Sequence, residues 1–397
     1  MIPFVRNEFN KQFSLETYER FLNDLNQTYH HKIPFRVAES PLFVDSVFKK
    51  KLIKASDEII DFLTLKDFKT LTSRAIPPHL NVPNETNHTL FLALDFAVVK
   101  DSLGALQPKL IEMQGFPSLF GWQDFLGAKF REHYTIPESL NHHFDLNREQ
   151  FQTKLKHALL AGHQSENVIL LEIDPLKQTT AIDFLITQEL TGIAPVHLGD
   201  VIREGRKLFY RKGDRKIRIE RIYNRVIFDE LLRLNDSKFQ FNLTEDVEVE
   251  WAGHPNWFLR ISKYTMPFIK SESIPECKFL SDYSSFPPDL ENYVLKPLFS
   301  FSGSGVIFHL TQKDLDNIPA DQQHNYLLQR KVQYEPVILT PDGMVKAEIR
   351  ILFLWEPGSP RPIPITNLAR LSRGEMIGVK YNKDKTWVGG SVCFFEN

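Results

Sequence analysis

The stretch YVLKPLFSFSGSGVIF, Tyr293–Phe308, constrains the fold more than any other part of the chain. An apolar run ends at Lys296-Pro297, a connection rich in Gly and Ser follows, and a second apolar run returns at 306–308. Two such runs around small residues predict a β-hairpin. Glycines let backbone N–H groups approach an anion closely, and a lysine at the strand end adds a positive charge. A phosphate-binding loop and an ordinary hairpin with a solvated lysine fit this stretch about equally.

A second hairpin is predicted in the first third of the chain, where polar side chains interrupt apolar strands. Leu90–Val99 carries one acid, Asp95, and the returning strand Lys109–Met113 carries Glu112 and is followed by Gln114. Glu112 and Gln114 share a face, because strand side chains alternate, and pairing of the strands can bring Asp95 beside them. Two carboxylates and an amide oxygen suit Mg²⁺ bound together with substrate phosphates. A polar patch is the alternative, but an unpaired acid in an apolar strand is costly to bury.

Composition narrows the class of protein without indicating a function. A chain of 397 residues predicts about two or three domains. The formal net charge of −2 gives no overall attraction to nucleic acid or to an anionic membrane. The two cysteines form no disulfide framework, which favours a reducing, cytoplasmic compartment. No apolar run is long enough to span a membrane, and the first residues do not resemble a signal peptide.

The chain divides into five predicted segments. Apolar residues at helical spacing in Leu15–Leu25 and Leu42–Leu63 predict an N-terminal helical region, 1–84. Residues 160–255 begin with a strand–helix–strand pattern and a basic hairpin, which predicts a flanking α/β domain. The remaining predicted segments are 85–159, 256–328 and 329–397.

Two further groups of polar residues are interpreted as ordinary surface features. Arg221 and Arg225 lie near the end of an apolar element, where an arginine usually forms a surface ion pair, and a functional site is the second interpretation. The histidines, including the pair His142-His143, show no metal-binding spacing with cysteines or acids. We therefore expect most of the histidines at the surface or in loops.

In combination, the motifs resemble the nucleotide site of the ATP-grasp superfamily. Lys263, the Lys296-Pro297 strand end with its Gly/Ser loop, and Gln329-x-x-Val332 occur in the usual family order. Asp95 followed by Glu112-Met113-Gln114 resembles the metal unit D…E-x-N of that superfamily, but it precedes the glycine loop. This order is similar to that of the circularly permuted members, which include glutathionylspermidine-synthetase-like enzymes. The resemblance implies an α+β, circularly permuted ATP-grasp fold with a flanking α/β domain and N-terminal helices.

The resemblance also implies a role for each matching residue. Contacts with ATP are implied for two lysines, the glycine loop, a hinge whose backbone contacts adenine, and an acid at the ribose: Lys263, Lys296, Ser302, Gly303, Ser304, Gly305, Gln329, Arg330, Lys331, Val332 and Glu335. Contacts with Mg²⁺ are implied for Asp95, Glu112 and Gln114. Arg350 and Arg370 are the candidates for a catalytic positive charge.

The implied activity is an ATP- and Mg²⁺-dependent ligase that joins a small-molecule carboxylate to an amine or thiol through an acyl-phosphate. The sequence departs from the family pattern twice. Ala93 stands where members often have Arg, two residues before the strand acid, and Gln114 replaces Asn. A nucleotide-binding protein without ligase turnover and a small-molecule kinase therefore remain alternatives, because the site and not the fold decides the activity.

Overall fold

Helices and strands alternate irregularly along the chain. The computed structural model describes residues 1–234, 239–299, 305–374, 377, 382 and 384–397. The α-helices described are Pro3–Gln12 (α1), Leu15–Thr28 (α2), Ser46–Leu63 (α3), Phe68–Leu71 (α4), Phe120–His133 (α5), Arg148–Leu160 (α6), Ala181–Thr191 (α7), Phe228–Arg233 (α8), Pro255–Arg260 (α9) and Gln312–Asp316 (α10). The strands described are Leu42–Val44 (β1), Phe91–Lys100 (β2), Leu106–Gln114 (β3), Leu140–Asn141 (β4), Val168–Glu172 (β5), Ala194–His197 (β6), Ile202–Glu204 (β7), Lys207–Lys212 (β8), Arg215–Ile219 (β9), Arg221–Asn224 (β10), Glu250–Ala252 (β11), Cys277–Phe279 (β12), Tyr293–Pro297 (β13), Tyr326–Arg330 (β14), Pro336–Thr340 (β15), Gly343–Leu354 (β16), Ile363–Ser372 (β17), Gly389–Ser391 (β18) and Cys393–Glu396 (β19). This mixture is compatible with the predicted α+β class.

A central antiparallel sheet joins strands from two distant parts of the sequence. Its order is β18-β17-β16-β2-β3, and β15 pairs with β16 as well. Strands β2 and β3 form the predicted hairpin, and β16 runs along the other side of β2, with Leu354 opposite Phe91 and Glu348 opposite Ala97. The pairing places parts of the predicted segments 85–159 and 329–397 in one sheet.

The alternation of side chains along β2 sets the direction of its single acid. Leu92 and Phe96 belong to the large core that the central sheet shares with the N-terminal helices. Phe91 and Ala93 point the other way, into a second core that includes residues of α6, α7 and β5. Asp95 is two residues after Ala93, so its side chain points to the same face as that of Ala93, away from the large core.

The described part of the chain has four smaller sheets, one of which, β1-β19-β4, includes a strand of the N-terminal region. The small sheet has the order β12-β14-β13, and both pairings are antiparallel. Leu295 of β13 exchanges backbone hydrogen bonds of 2.9 and 3.1 Å with Ile307, so the chain returns beside β13 as the predicted hairpin requires. The parallel sheet β11-β10-β5-β6 has α7 between β5 and β6, and β7-β8-β9 form a separate antiparallel sheet. We call the parallel sheet with α7 the α/β unit.

The N-terminal region is helical, but it also contributes a short strand. The side chain of Asp45 accepts a hydrogen bond from the backbone N–H of Phe48 (2.8 Å), which begins α3 at Ser46. The prediction of a helix over Leu42–Leu63 is therefore wrong at its start, where Leu42–Val44 pairs in parallel with β19. All three residues of this strand are buried, as expected for a strand covered on both faces. In the described part of the chain, no helix combines the length and the apolar character needed to cross a membrane.

Candidate active site

A row of charged side chains crosses the central sheet. Asp95 lies directly opposite Glu112 of β3 and directly opposite Arg350 of β16. Opposed residues of antiparallel strands project to the same face, so the three side chains are neighbours on one face of the sheet. The structure therefore brings Asp95 and Glu112 together although they are seventeen positions apart in the sequence.

Asp95 is enclosed, and both of its oxygens have arginine partners. The residue is 2% exposed. Arg350 donates from Nε to Oδ1 (2.5 Å) and from Nη2 to Oδ2 (2.6 Å), and Arg370 donates from Nη1 to Oδ2 (3.2 Å). Burial raises the pKa of Asp95, but the charges of Arg350 and Arg370 outweigh it and hold the pKa below its usual value. The carboxylate is thus the anchor of both predicted catalytic arginines, and its role as a metal ligand stays a prediction.

Glu348 and Tyr334 extend the same charged patch, and the sequence analysis gave neither of them a role. Glu348 is buried and lies two residues before Arg350, so both side chains share a face of β16. One oxygen of Glu348 accepts from Arg370 Nη1 (2.5 Å) and the other from the hydroxyl of Tyr334 (2.6 Å). Glu348 and Arg370 lie directly opposite each other on the neighbouring strands β16 and β17. No local sequence pattern indicates this contact.

Lys296 reaches from the small sheet to the central sheet. Its Nζ donates to Gln329 Oε1 (2.9 Å) on the neighbouring strand and to the carbonyl oxygen of Ile111 (3.2 Å) on β3. Ile111 is the extra residue of a β-bulge in the β2–β3 pairing. A bulged residue drops out of the strand ladder, which explains why its carbonyl can accept from a lysine of another sheet.

Both predicted phosphate-binding lysines have lowered pKa values. Burial lowers the pKa of Lys296 to about 8; the charge of Glu112 opposes this shift, and the charge of Lys263 adds to it. Lys263 is 6% exposed at the start of a 3-10 helix, Lys263–Phe268. Burial lowers its pKa too, against the charges of Glu112 and Asp229. A buried ammonium group, that of Lys263, and a partly buried one, that of Lys296, lie near Glu112, and a bound anion there would offset the lost hydration.

The predicted hinge connects the small sheet to the central sheet. Gln329 is 2% exposed and accepts from Lys296. The backbone N–H groups of Arg330 and Lys331 donate to carbonyl oxygens beside the small sheet, at 2.8 Å each. Val332 follows and is partly buried. Arg330 and Lys331 thus already use their backbone N–H groups within the protein.

Glu335, the predicted ribose contact, lies where the chain enters the central sheet. Its carboxylate accepts from Lys100 Nζ (2.6 Å), and its backbone N–H donates to the carbonyl of Val98 (2.9 Å). Both side chains of the ion pair are partly exposed, at 46% for Lys100 and 32% for Glu335. Such an exposed pair contributes little to stability, so a ligand hydroxyl can compete for this carboxylate.

One residue of the predicted glycine loop lies in the described part of the chain. Gly305 has φ +69°, and a Cβ placed on it would lie 2.9 Å from Cγ of Pro297. Both observations require glycine at this position. The predicted residues Ser302, Gly303 and Ser304 lie outside the described residues.

The two departures from the family pattern occupy one place in the structure. Ala93 and Gln114 are direct cross-strand partners, next to the Asp95–Glu112 pair. Gln114 is the last residue of β3 and is partly buried on the face that carries Glu112. The small side chain of Ala93 therefore lies opposite the longer amide.

Arg221 and Arg225 are buried, which makes their interpretation as surface ion pairs wrong. Arg221 pairs with a glutamate, but it is 5% exposed and also donates to two carbonyls of α6. Arg225 is 7% exposed and donates to the carbonyls of Pro117 and Ser118 at 3.0 Å each. The hydroxyl of Ser118 accepts in turn from Arg350 (3.1 Å). Arg225 thus connects the α/β unit to the loop that supports the charged row.

His142 and His143 lie in the loop that follows β4, as expected for the histidines, but they are buried and not at the surface. The two residues are 4% and 2% exposed, and His143 Nε2 lies 3.1 Å from a carboxylate oxygen of Asp124. Asp124 belongs to α5, nineteen positions before His143, so a search for short ligand spacings misses the contact.

Comparison with known proteins identifies a similar fold. No protein-family model matches the sequence, and no curated protein is significantly similar to it. Among solved structures, the chain is similar to a glutathione synthetase-like effector, GSS30, from Globodera pallida in its apo form. The TM-score is 0.61, the identity is 11%, and the match covers 97% of this chain and 98% of the effector chain. At this identity the likeness establishes a shared fold and leaves activity open.

Proposed function

We propose that this chain is an ATP- and Mg²⁺-dependent ligase with a permuted ATP-grasp fold, which joins a carboxylate to an amine or thiol through an acyl-phosphate. The observation that carries the proposal is that Lys296 of the small sheet donates a hydrogen bond to Ile111 of the central sheet. Lys263 and Glu112 lie close enough for their charges to act on the Lys296 ammonium group. The similarity in fold to a glutathione synthetase-like protein over nearly the whole chain adds support.

In the proposed site, the lysines bind the phosphates of ATP. The ammonium groups of Lys263 and Lys296 are partly deprived of water, so phosphate oxygens would replace lost hydration with charge-assisted hydrogen bonds. Gln329 holds the Lys296 ammonium in place from the neighbouring strand. Gly305 would allow the backbone of the loop to approach the phosphates closely.

Mg²⁺ would fit the oxygen donors on the face of the central sheet that carries Asp95. Glu112 and Gln114 share that face, and Glu348 adds a third oxygen donor that the sequence analysis did not include. The ion would supply positive charge to the transferring phosphoryl group. Asp95 would position Arg350 and Arg370 for this chemistry, since both arginines donate to its carboxylate.

Arg370 is the arginine better placed to meet a substrate. Its side chain is 34% exposed, whereas that of Arg350 is 7% exposed and bound to Asp95 and Ser118. In the reaction, a substrate carboxylate oxygen attacks the γ-phosphorus and ADP leaves. The amine or thiol then attacks the acyl carbon, loses its proton, and displaces phosphate. Arg370 would stabilise the negative charge of the acyl-phosphate.

A second candidate function is nucleotide binding without ligase turnover. The adjacent positions of Ala93 and Gln114 favour it, because both departures from the family pattern fall beside the proposed metal. The longer Gln114 side chain shifts the ligand oxygen, and Mg²⁺ requires near-ideal octahedral geometry.

Measurement of ADP release across pairs of small carboxylates with amines or thiols distinguishes the two functions. A ligase releases ADP only when both substrates of a correct pair are present. Glu112→Gln keeps the shape and removes the charge, so we expect activity to fall about 10²–10³-fold. Gln114→Asn should preserve or raise the rate, and Glu19→Gln, an exposed change on α2, should have no effect.

Two outcomes of this assay would contradict the ligase. Full activity in Glu112→Gln would indicate a contaminating ATPase. If no pair releases ADP above background but an ATP analogue binds measurably, the protein is a nucleotide-binding protein without ligase turnover.

A further inference from the structure

A second cluster of metal-binding side chains lies away from the proposed nucleotide site. Asp124 of α5 and the adjacent pair His142 and His143, which follow β4, each offer one ligand atom, and the three atoms lie within 4.8 Å of one another. All three residues are at most 4% exposed. The two imidazole rings are 4.0 Å apart between centroids.

The histidines carry buried nitrogens that the protein leaves without partners. Among the described residues, none forms a hydrogen bond with Nδ1 or Nε2 of His142 or with Nδ1 of His143. An unsatisfied buried polar atom costs about 1–3 kcal/mol. Three such atoms in one cluster are unusual, because most buried polar atoms have partners.

The surrounding residues hold the cluster in a fixed arrangement. Gly127 packs so closely against the ring of His142 that a Cβ there would lie 2.5 Å from Nε2. The carbonyl of His142 accepts from Asn367 of β17 (2.9 Å), and His143 stacks on Phe151 at 4.2 Å. The rings are therefore fixed by contacts that do not use their free nitrogens.

Asp124 is oriented by residues that can remain in place when a cation binds. Gln152 donates to Oδ2 (2.8 Å), as expected for a partner that orients a ligating carboxylate. Arg148 donates from Nε to both oxygens at 3.1 Å, but its side chain is 49% exposed, so the guanidinium can withdraw to solvent.

We propose that Asp124, His142 and His143 bind a transition-metal ion, with Zn²⁺ as the best match. Imidazole nitrogens favour zinc, copper, nickel or iron over Mg²⁺, and zinc accepts two histidines and a carboxylate. Ligand atoms in a tetrahedral zinc site are about 3.3 Å apart, given bonds of about 2.0–2.1 Å, so the three residues need only a small closure. The ion would tie α5 to the β4 segment and, through His142, to β17. The proposal is independent of the nucleotide site.

The test measures zinc bound by the full-length protein. A chelator first removes bound metal from the protein, which is then refolded with Zn²⁺. Excess Mg²⁺ is present so that it, and not Zn²⁺, occupies sites made of oxygen ligands alone. Unbound ions are removed before the metal content is measured. We expect about one zinc ion per chain and a higher Tm than in the metal-free protein. His157→Gln, a change of a histidine that is 77% exposed, should bind the same amount.

Two variants test the assignment. His142→Phe keeps an aromatic ring beside Gly127 and removes the unpartnered nitrogens, so it should lose the zinc while the metal-free Tm stays equal or rises. Asp124→Asn should also lose the zinc and serves if His142→Phe fails to fold. Absence of zinc from the wild-type protein would overturn the proposal, and so would equal zinc content in the wild-type protein and both variants.

Discussion

At the residue scale, the site contains two kinds of buried charge. Asp95 has two arginine partners that hold its pKa below the usual value, so its charge is stable without a ligand. Lys296 differs, because burial lowers its pKa to about 8 even beside Glu112. An anion that binds Lys296 would raise this pKa again, which couples nucleotide binding to protonation.

This coupling predicts a pH dependence of nucleotide affinity. Below pH 8, Lys296 of the free protein is protonated and affinity should be constant. Above pH 8, binding must take up a proton, so affinity should fall by up to about tenfold per pH unit between pH 8 and 9.5. Titration calorimetry with a non-hydrolysable ATP analogue at several pH values measures the slope.

Lys296→Arg is the matched control for this measurement. Arginine stays protonated across the range, so its affinity should vary less with pH. Any remaining dependence of affinity on pH in this variant is attributed to Lys263, whose pKa burial also lowers. A slope in Lys296→Arg as steep as in the wild-type protein would contradict the role of Lys296.

At the scale of elements, the pairing of β2 with β16 depends on a buried ion pair. Arg350 makes two hydrogen bonds to Asp95, and both side chains are at most 7% exposed. Removal of Arg350 leaves two buried carboxylates, Asp95 and Glu348, to share Arg370, so one buried negative charge is uncompensated. Removal of both Asp95 and Arg350 leaves an apolar pair beside the intact Glu348–Arg370 pair.

We therefore predict that Arg350→Met lowers the free energy of unfolding by about 3–5 kcal/mol, and that Asp95→Leu combined with Arg350→Met restores most of it. Denaturation with urea, followed by circular dichroism, measures both changes. Arg361→Met, which breaks exposed ion pairs with Asp57 and Asp61, should change stability by about 1 kcal/mol or less. A loss for Arg350→Met as small as that for Arg361→Met would contradict the prediction.

The same elements show how far the sequence predicts the site. Apolar runs interrupted by polar residues predicted β2 and β3, and strand periodicity placed Glu112 and Gln114 on one face. The bulge at Ile111 and the Tyr334–Glu348 contact escaped prediction, because each depends on how separate strands pair. Leu42–Val44 was assigned to a helix since its apolar run continues into α3.

At the scale of the whole molecule, three separate parts of the chain supply the proposed site. The β2–β3 hairpin provides Glu112, the segment from Lys263 to β14 provides both lysines, and the C-terminal strands provide Glu348 and Arg370. Their order along the chain led to the resemblance with permuted ATP-grasp proteins. The His142 cluster was missed, because its acid lies on a helix that only the fold brings close.

The most direct test of the account is the affinity of the protein for a non-hydrolysable ATP analogue with Mg²⁺ at pH 7.5, measured by calorimetry. We predict binding by the wild-type protein and a loss of about ten- to hundredfold in Lys296→Ala, because a charge-assisted hydrogen bond contributes about 1.5–3 kcal/mol. Lys313→Ala, an exposed change on α10, should leave the affinity unchanged. No binding by the wild-type protein, or equal affinity in Lys296→Ala, would contradict the nucleotide site.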